Sequence, residues 1–138
     1  MSVRFDMETI RLITIFENIT GAPVKDCIVT KDTIYFIIEE GKIGIAIGKN
    51  GNSVKNAEKM LDKNIKIFEF SKDLSKFVKK LIHQANMIKI REEDGEVTVE
   101  VRVDKNNKGF VIGRDGKNLK LFKEFLRRNY NVSDLVIK

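Results

Sequence analysis

The chain has 138 residues, of which 42% are hydrophobic and 33% are charged, and its formal net charge at pH 7 is +6. This composition is that of one ordinary folded domain or of two small ones, and it excludes a disordered chain. It also excludes a membrane helix, because no apolar run approaches the roughly 20 residues that such a helix needs. The single Cys27 excludes an internal disulfide and a cysteine-based zinc site.

The amino-terminal residues 1–6 lack the positively charged segment and the apolar run of a secretory signal. A lone thiol is also typical of a reducing compartment. We therefore expect a cytoplasmic protein that uses no metal and no other cofactor, and we expect it to be a monomer.

The first half of the chain predicts the element order α-β-β-α-α-β. Ile10, Ile13 and Phe16 recur at helical spacing, and Gly21 with Pro23 ends that helix. Two β-branched runs follow, and the second is apolar on both faces, as expected for a strand that is covered on both sides. The predicted strands lie at 24–29, 33–38 and 65–68, and a short helix lies at 42–47. A longer helix follows, capped by Asn52 or Ser53. Its inward-facing residues are predicted to be Val54, Ala57, Met60 and Leu61.

The second half predicts the same order. An amphipathic helix through Phe77 and Leu81 is capped by Ser71 or Asp73. Asp94-Gly95 stands between two β runs and indicates a hairpin, and the valines of the second run alternate strictly from 97 to 103. A short helix at 109–112, a long helix at 117–129 and a closing strand within 132–137 complete the half.

The fold class is therefore α+β, with two domains, 1–71 and 72–138, that each carry a three-stranded sheet. Each domain is close to the smallest size that supports an independent core. No segment rich in proline or serine separates them. We therefore expect the two halves to pack together in a fixed relative orientation.

The two halves repeat a glycine tetrad. Gly48-Lys49-Asn50-Gly51 occurs again as Gly113-Arg114-Asp115-Gly116, 65 positions later. The agreement extends without a gap, since residues 33–38 align with 98–103 and residues 44–47 align with 109–112. A strand, loop and helix shared at one fixed spacing indicate a duplicated structural unit.

The positive charge is concentrated around the two tetrads. Residues 41–66 carry six lysines and two acidic residues, and residues 104–130 carry eight lysines and arginines and three acidic residues. Scattered lysines usually mark only a solvated helix face. Two separate basic blocks that coincide with two glycine loops favour a surface that attracts a polyanion.

A glycine tetrad between two helices is suited to a phosphate backbone. Glycine allows positive φ and removes side chains from the surface that a ligand approaches. The amide groups of the loop and the amino terminus of the next helix add partial positive charge. A pair of glycines is also common in turns that have no role in binding. The duplication, the basic flanks and the shared position in the element order favour binding.

The two segments 45–54 and 110–119 resemble KH motifs of the form I-G-x-x-G-x-x-[VIL], and the helix-first order resembles the type II, prokaryotic KH fold. Residues 16–28 and 132–137 further resemble the archaeal NusA-like transcription factors, so that the resemblance covers nearly the whole chain. It implies two tandem KH domains that bind single-stranded RNA in transcription termination or antitermination. RNA polymerase and other transcription factors are the further partners that it suggests.

The resemblance places RNA on the two loops, and apolar residues before each loop can face unstacked bases. Asp115 brings a negative charge to the tip of the second loop, so Arg114, Lys117 and Lys120 must supply the attraction there. The predicted RNA-binding residues are Ile45, Ile47, Gly48, Lys49, Asn50, Gly51 and Lys55 in the first half, and Phe110, Ile112, Gly113, Arg114, Asp115, Gly116, Lys117 and Lys120 in the second.

The sequence offers no catalytic constellation. Residues 44–50 are one residue short of a Walker A loop and lack its Ser or Thr. His83 has no second histidine and is predicted to be structural beside an apolar helix face, and Cys27 is predicted to pack in a strand. The acidic run 92–94 is predicted to be a solvated hairpin tip, with a cation site as the less favoured alternative.

Most aromatic residues are predicted to lie in the core rather than to stack on bases: Tyr35, Phe70, Phe77, Phe122 and Phe125. Tyr130 is left open, because it follows two arginines. We therefore predict a protein that is not an enzyme. A KH module of ribosome assembly or translation is the alternative function that the sequence leaves open.

Overall fold

The computed structural model describes residues 5–138, so the expectation of no signal segment falls partly on residues 1–4, outside the described chain. Residues 5–72 lie in one compact unit and residues 73–138 in another. The elements of the first unit are α1 (Met7–Thr20), β1 (Val24–Val29), β2 (Thr33–Ile38), α2 (Ile43–Ile47), α3 (Asn52–Leu61) and β3 (Asn64–Glu69).

The second unit repeats this order, as the sequence predicts. A three-residue turn, Lys49–Gly51, joins α2 to α3, and another, Arg114–Gly116, joins α5 to α6. The elements are α4 (Leu74–Leu81), β4 (Met87–Glu93), β5 (Glu96–Arg102), α5 (Lys105–Ile112), α6 (Lys117–Tyr130) and β6 (Asp134–Ile137).

Each unit has a three-stranded mixed sheet. In the first, β2 lies between an antiparallel β1 and a parallel β3. In the second, β5 lies between an antiparallel β4 and a parallel β6. Parallel neighbours need a crossover connection. The helix pairs α2–α3 and α5–α6 supply it, and the glycine tetrads form the turns within these two crossovers.

The core of the first unit forms between the helices and one face of the sheet. Phe16 of α1 stacks on Phe36 of β2, with ring centroids 4.0 Å apart. Ala46 and Ala57 are fully buried, so α2 and α3 lie against this core through small side chains. All six residues of β2 are buried, which confirms the strand predicted from its continuous apolar run.

The second unit buries alternate residues of its central strand. Val99 and Val101 of β5 are fully buried, and Phe77 and Phe125 pack into the same unit with no exposed surface. The Tyr130 ring is half-buried, 4.9 Å from the Phe77 ring.

The remaining core predictions have mixed outcomes. The prediction that Met60 faces inward from α3 is wrong, because Met60 is 72% exposed. Tyr35 and Phe122 are buried, as predicted, and so is Cys27 in β1. Phe70 is only half-buried, and the Lys25 ammonium lies 4.4 Å from the centre of its ring. This ring therefore lies at the edge of the core, with a cation against its face.

Two helices begin with an acidic cap. The Asp6 carboxylate accepts from the Thr9 N–H at 2.7 Å at the start of α1, and this bond lowers the pKa of Asp6. Asp73 caps α4 in the same way, at 3.2 Å from the Lys76 nitrogen, which confirms one of the two predicted caps.

The predicted cap of α3 is wrong. Gly51, in left-handed conformation with φ of 75°, precedes the helix, and it offers no side chain to cap it. Asn52 is the first helical residue and Ser53 the second, so neither can cap.

The prediction that His83 packs beside the apolar face of its helix is also wrong. It is exposed in the turn after α4, and its carbonyl accepts from the Lys79 ammonium at 2.7 Å. The hairpin tip at 92–94 is exposed, and residues 5–138 contain no group of three His, Cys, Asp or Glu side chains that could hold a metal ion. None of the helices described is long and apolar enough to span a bilayer.

Candidate nucleic-acid interface

The first tetrad forms a closed turn between α2 and α3. Gly48 leaves the helix with φ of 77° and ψ of 174°, and its N–H donates to the Gly44 carbonyl at 3.0 Å. The Gly51 N–H then donates to the Gly48 carbonyl at 3.2 Å. These two bonds fix both ends of the turn, and leave Lys49 and Asn50 at its tip.

The second tetrad forms the same turn. Gly113 has φ of 80° and ψ of 168°, and its N–H donates to the Gly109 carbonyl at 2.9 Å. The Gly116 N–H donates to the Gly113 carbonyl at 3.2 Å. The positive φ predicted at the glycines is confirmed in both units, and the repeat in sequence is a repeat in backbone conformation.

The third residue of each tetrad is also left-handed. Asn50 has φ of 56° and Asp115 has φ of 58°. Asparagine and aspartate tolerate this conformation better than other residues with a side chain. The sequence showed Asp115 only as an unfavourable charge at the tip. The left-handed backbone supplies a conformational reason for aspartate at this position.

The two glycines of each tetrad have different environments. A Cβ on Gly48 would lie 2.3 Å from Ser53 Oγ and 2.9 Å from the Ser53 backbone nitrogen. A Cβ on Gly113 would lie 2.9 Å from Asn118 Cγ and 3.0 Å from the Asn118 backbone nitrogen. The sequence-based reason for these glycines, a surface cleared for a ligand, is therefore incomplete. The first glycine of each tetrad is required by a contact within the chain.

The last glycine of each tetrad faces open space. A Cβ on Gly51 would touch only Lys55 Cε, at 3.8 Å, and a Cβ on Gly116 would meet no atom within 4 Å. At these two positions a ligand can approach the main chain closely, as the sequence predicts.

Several N–H groups at each turn are not used by the bonds that close it. In the first turn those bonds use the N–H groups of Gly48, Gly51 and Asn52. Within residues 5–138, the N–H groups of Lys49 and Asn50 have no main-chain acceptor. The glycines that precede α3 and α6 also cannot cap them with a side chain, unlike the aspartates that cap α1 and α4. Such a cluster of N–H groups at a helix start favours an anion.

The helix before each turn exposes apolar side chains. Ile45 is 46% exposed, Ile47 is 41% exposed and Phe110 is 73% exposed, whereas Ile112 is half-buried. One buried residue, Ala46 in α2 and Val111 in α5, holds each helix on its core. The structure thus leaves three of the four predicted apolar contacts on the surface and places the fourth partly inside.

The cationic residues predicted for the interface are exposed at or just after the turns. Lys49 and Arg114 stand at the tips, and Lys55 lies on the first turn of α3, within reach of Gly51. Lys117 and Lys120 lie on the first turn of α6. Each unit therefore brings its glycines, its cations and its apolar side chains together at one turn.

Sequence reasoning missed Asn118, and it took Ser53 only for a helix cap. They occupy the same position in the two repeats, five residues after the first glycine, and each fills the space beside that glycine. The Asn118 amide also donates to the Phe110 carbonyl at 3.2 Å and ties the end of α5 to the start of α6. The 65-residue offset was the signal that could have found them, because both are small polar residues.

Comparison with known proteins places both units in one class. Residues 11–82 match a family model described as KH domain, and residues 71–128 match one described as KhpA/KhpB, KH domain. The chain is similar to the probable transcription termination protein NusA of Methanocaldococcus jannaschii, with 31% identity over 98% of this chain and 75% of that protein. The protein of the same name from Thermoplasma acidophilum is 32% identical over 99% of this chain and 96% of its own length.

A solved structure agrees with these relatives. The crystal structure of APE1850 is 35% identical in sequence and superposes with a TM-score of 0.77. The match covers 97% of this chain and all of the other. The similarity therefore extends over both units.

Proposed function

The chain belongs to the NusA-like family of KH-domain proteins, and on that premise we propose that it binds single-stranded RNA and acts in transcription termination or antitermination. The observation that carries this proposal is the pair of glycine turns with one backbone conformation, each set among exposed cations. The names of the relatives support the role in termination.

In this proposal each turn holds a short stretch of RNA backbone. A KH module clamps about four nucleotides on its GxxG loop. The N–H groups of Lys49 and Asn50 would donate to a phosphate that approaches over Gly51, where a Cβ would meet only Lys55 Cε. At the second turn, the RNA strand is attracted by Arg114, Lys117 and Lys120. The domains that we assign to the two modules are 1–71 and 72–138.

Bases of the bound strand would lie against the exposed apolar residues before each turn. Ile45 and Ile47 serve the first module, and Phe110 with the half-buried Ile112 serves the second. Bases in a duplex are stacked and paired, so they cannot reach such a surface. The proposed ligand is therefore a single strand rather than a double helix.

We propose no catalytic role for the chain. The elements of the interface are main-chain N–H groups, cations and apolar side chains, which bind and orient a polymer but do not transfer protons or groups. RNA polymerase or other transcription factors are the further partners that we propose, with the cytoplasm as the place of action.

Binding to RNA tests the proposal directly. We expect the chain to bind an unstructured RNA of about twelve nucleotides more tightly than a duplex of the same length, since each module takes about four. Because cations displace counterions from the RNA, the logarithm of the affinity should fall linearly with the logarithm of the salt concentration. Fluorescence anisotropy titrations at several salt concentrations measure both. Equal affinity for duplex RNA, or an affinity independent of salt, would contradict the proposal.

A transcription assay separates the proposed role from one in ribosome assembly or translation. We expect addition of the chain to a purified archaeal transcription system to change the fraction of transcripts that end at a terminator. A double variant in which Lys49 and Asn50 are both replaced by aspartate, which should weaken RNA binding, should weaken this effect. An unchanged pattern of transcript ends, combined with co-purification with ribosomal particles, would favour the alternative.

Charge at the tip of the second turn should limit its affinity. Replacing Asp115 with asparagine removes one negative charge and keeps a residue that tolerates the left-handed backbone, as Asn50 does in the first turn. We expect Asp115→Asn to strengthen RNA binding by up to about fivefold, that is, by about 1 kcal/mol for one exposed charge. Titration of one fixed RNA at fixed salt measures the change.

The matched control is the reverse substitution, Asn50→Asp, which should weaken binding by a similar factor. Arg114→Ala should also weaken binding and leave the melting temperature nearly unchanged, because Arg114 is exposed. A lower affinity of the Asp115→Asn variant would show instead that the carboxylate contacts the RNA, for example at a 2′-hydroxyl.

A further inference from the structure

The second module has an exposed aromatic ring where the first has none. Phe110 is 73% exposed, although a phenylalanine on a soluble helix is normally buried. The residue at the same place in the first repeat is Ile45. Most other aromatic residues named above are buried or half-buried, so Phe110 stands apart from the aromatic core.

The backbone that carries Phe110 is fixed at both ends. The Asn118 amide donates to the Phe110 carbonyl at 3.2 Å. The Asn86 amide donates to the Asp104 carboxylate at 2.8 Å, where α5 begins. A ring on a positioned helix presents its face with little loss of conformational freedom on binding.

The helix that carries Phe110 also has an extra turn. α5 spans eight residues, whereas α2 spans five. The additional turn contains Asn106 and Asn107, which stand four and three positions before Phe110. Residues at these spacings share one face of a helix, and a long side chain leans toward the preceding turn. The corresponding residues of the first repeat, Gly41 and Lys42, precede α2 and carry no carboxamide.

We propose that Phe110 is a stacking platform for one unpaired base and that Asn106, with Asn107, selects adenine at that position. The inference rests on the proposed binding of single-stranded RNA and gives the second module a specificity that the first lacks. A base stacks on an aromatic ring irrespective of its identity. The carbonyl oxygen of a carboxamide accepts from the amino group of adenine, while its NH2 group donates to a ring nitrogen.

The surroundings favour a nucleotide as the occupant of this exposed ring. Lys105 and Lys108 on the same helix are exposed, and Arg114 stands at the tip of the adjoining turn. These cations suit a ligand that carries phosphates next to its apolar ring. An apolar protein segment would leave the same cations without counter-charges.

The test uses the full chain and a single-stranded oligouridine of about twelve nucleotides that carries one adenine or one 2-aminopurine. Stacking quenches 2-aminopurine fluorescence. We expect quenching on binding, and we expect Phe110→Leu to abolish it and to lower the affinity about tenfold, in the range found for loss of one base–aromatic stack. Ile90→Leu is the control, because it creates the same side chain at an exposed position in β4 of the same unit, outside the glycine turn, and removes no ring. Phe110→Tyr should retain the quenching.

Asn106→Ala separates base selection from stacking. It should reduce the preference for the adenine-containing strand over plain oligouridine, while 2-aminopurine quenching persists in the bound complex. Two outcomes would overturn this inference alone. The wild type could bind these strands in a salt-dependent manner without quenching, or Phe110→Leu could leave affinity and preference unchanged. Absence of any binding by the wild type would instead overturn the proposed function.

Discussion

RNA affinity should fall by about tenfold or more when Lys49 and Asn50 are both replaced by aspartate. The double variant removes one positive charge from the tip of the first turn and adds two negative charges. Both side chains are exposed, and the N–H groups of the same two residues are the ones that we assign to a phosphate. The new carboxylates would therefore repel the phosphate at the point of its closest approach. Anisotropy titration at low salt is the measurement.

The fold should survive this change. Asn50 has φ of 56°, and the second turn accommodates an aspartate at the same place with φ of 58°. Lys49→Asp lies at an exposed tip where no packing is lost. The melting temperature should therefore move by no more than a few degrees, as is usual for surface substitutions.

A control of equal charge separates the local effect from the general one. Asn18→Asp combined with Lys31→Asp changes the net charge by the same amount, and both positions are exposed outside the glycine turn. Long-range attraction should fall equally in the two double variants, whereas the phosphate contact should be lost only in the first. Equal losses of affinity would mean that the turn is not a contact and that only the net charge acts.

Elements whose formation is decided locally could be predicted from the sequence. The apolar run of β2, the Asp94-Gly95 hairpin and the Asp73 cap each depend on residues within one or two turns of chain, and all three are present. The glycine tetrads were found because they occur twice with one offset, and repetition is visible without coordinates.

Features that depend on contacts across a turn could not be predicted. Ser53 seemed a suitable helix cap from its type, but the left-handed Gly51 starts α3 and places Ser53 inside it, against Gly48. The short helix before the second tetrad was predicted from 109 onward, whereas α5 begins at Lys105. The run 105–108 is polar, so no spacing of apolar residues indicates that it is helical.

The two glycines of one turn should differ in what an alanine does to stability. Gly51→Ala places a side chain in the left-handed region, with φ of 75° and ψ of 12°, which costs about 1–2 kcal/mol. Gly48→Ala places one at φ of 77° and ψ of 174°, a region that is nearly restricted to glycine and costs up to about 3 kcal/mol. Only Gly48→Ala also drives its methyl group to 2.8 Å from Ser53 Cβ and 2.9 Å from the Ser53 backbone nitrogen. We therefore expect Gly48→Ala to lower the free energy of unfolding by about 3 kcal/mol or more, and Gly51→Ala by about half of that.

Urea unfolding of the full chain, followed by circular dichroism, measures the difference. Gly51→Ala serves as the comparison for a side chain at positive φ without a clash, since it meets only Lys55 Cε at 3.8 Å. Removing the Ser53 hydroxyl should rescue Gly48→Ala only in part, because the Ser53 Cβ and backbone nitrogen remain in place. The second turn provides an independent repeat, with Gly113→Ala against Asn118 and Gly116→Ala facing open space.

The loss of RNA affinity should rank the same two variants in the opposite order, with Gly51→Ala more affected than Gly48→Ala. The methyl group of Gly51→Ala would occupy the open surface where we place the phosphate, so its affinity should fall by more than its modest loss of stability implies. Gly48→Ala that is still folded at low temperature should keep more of its affinity, because its methyl group faces α3 rather than the ligand. If Gly48→Ala were as stable as Gly51→Ala, the turn would relax around the methyl group, and contact with Ser53 would not be the reason for glycine at this position.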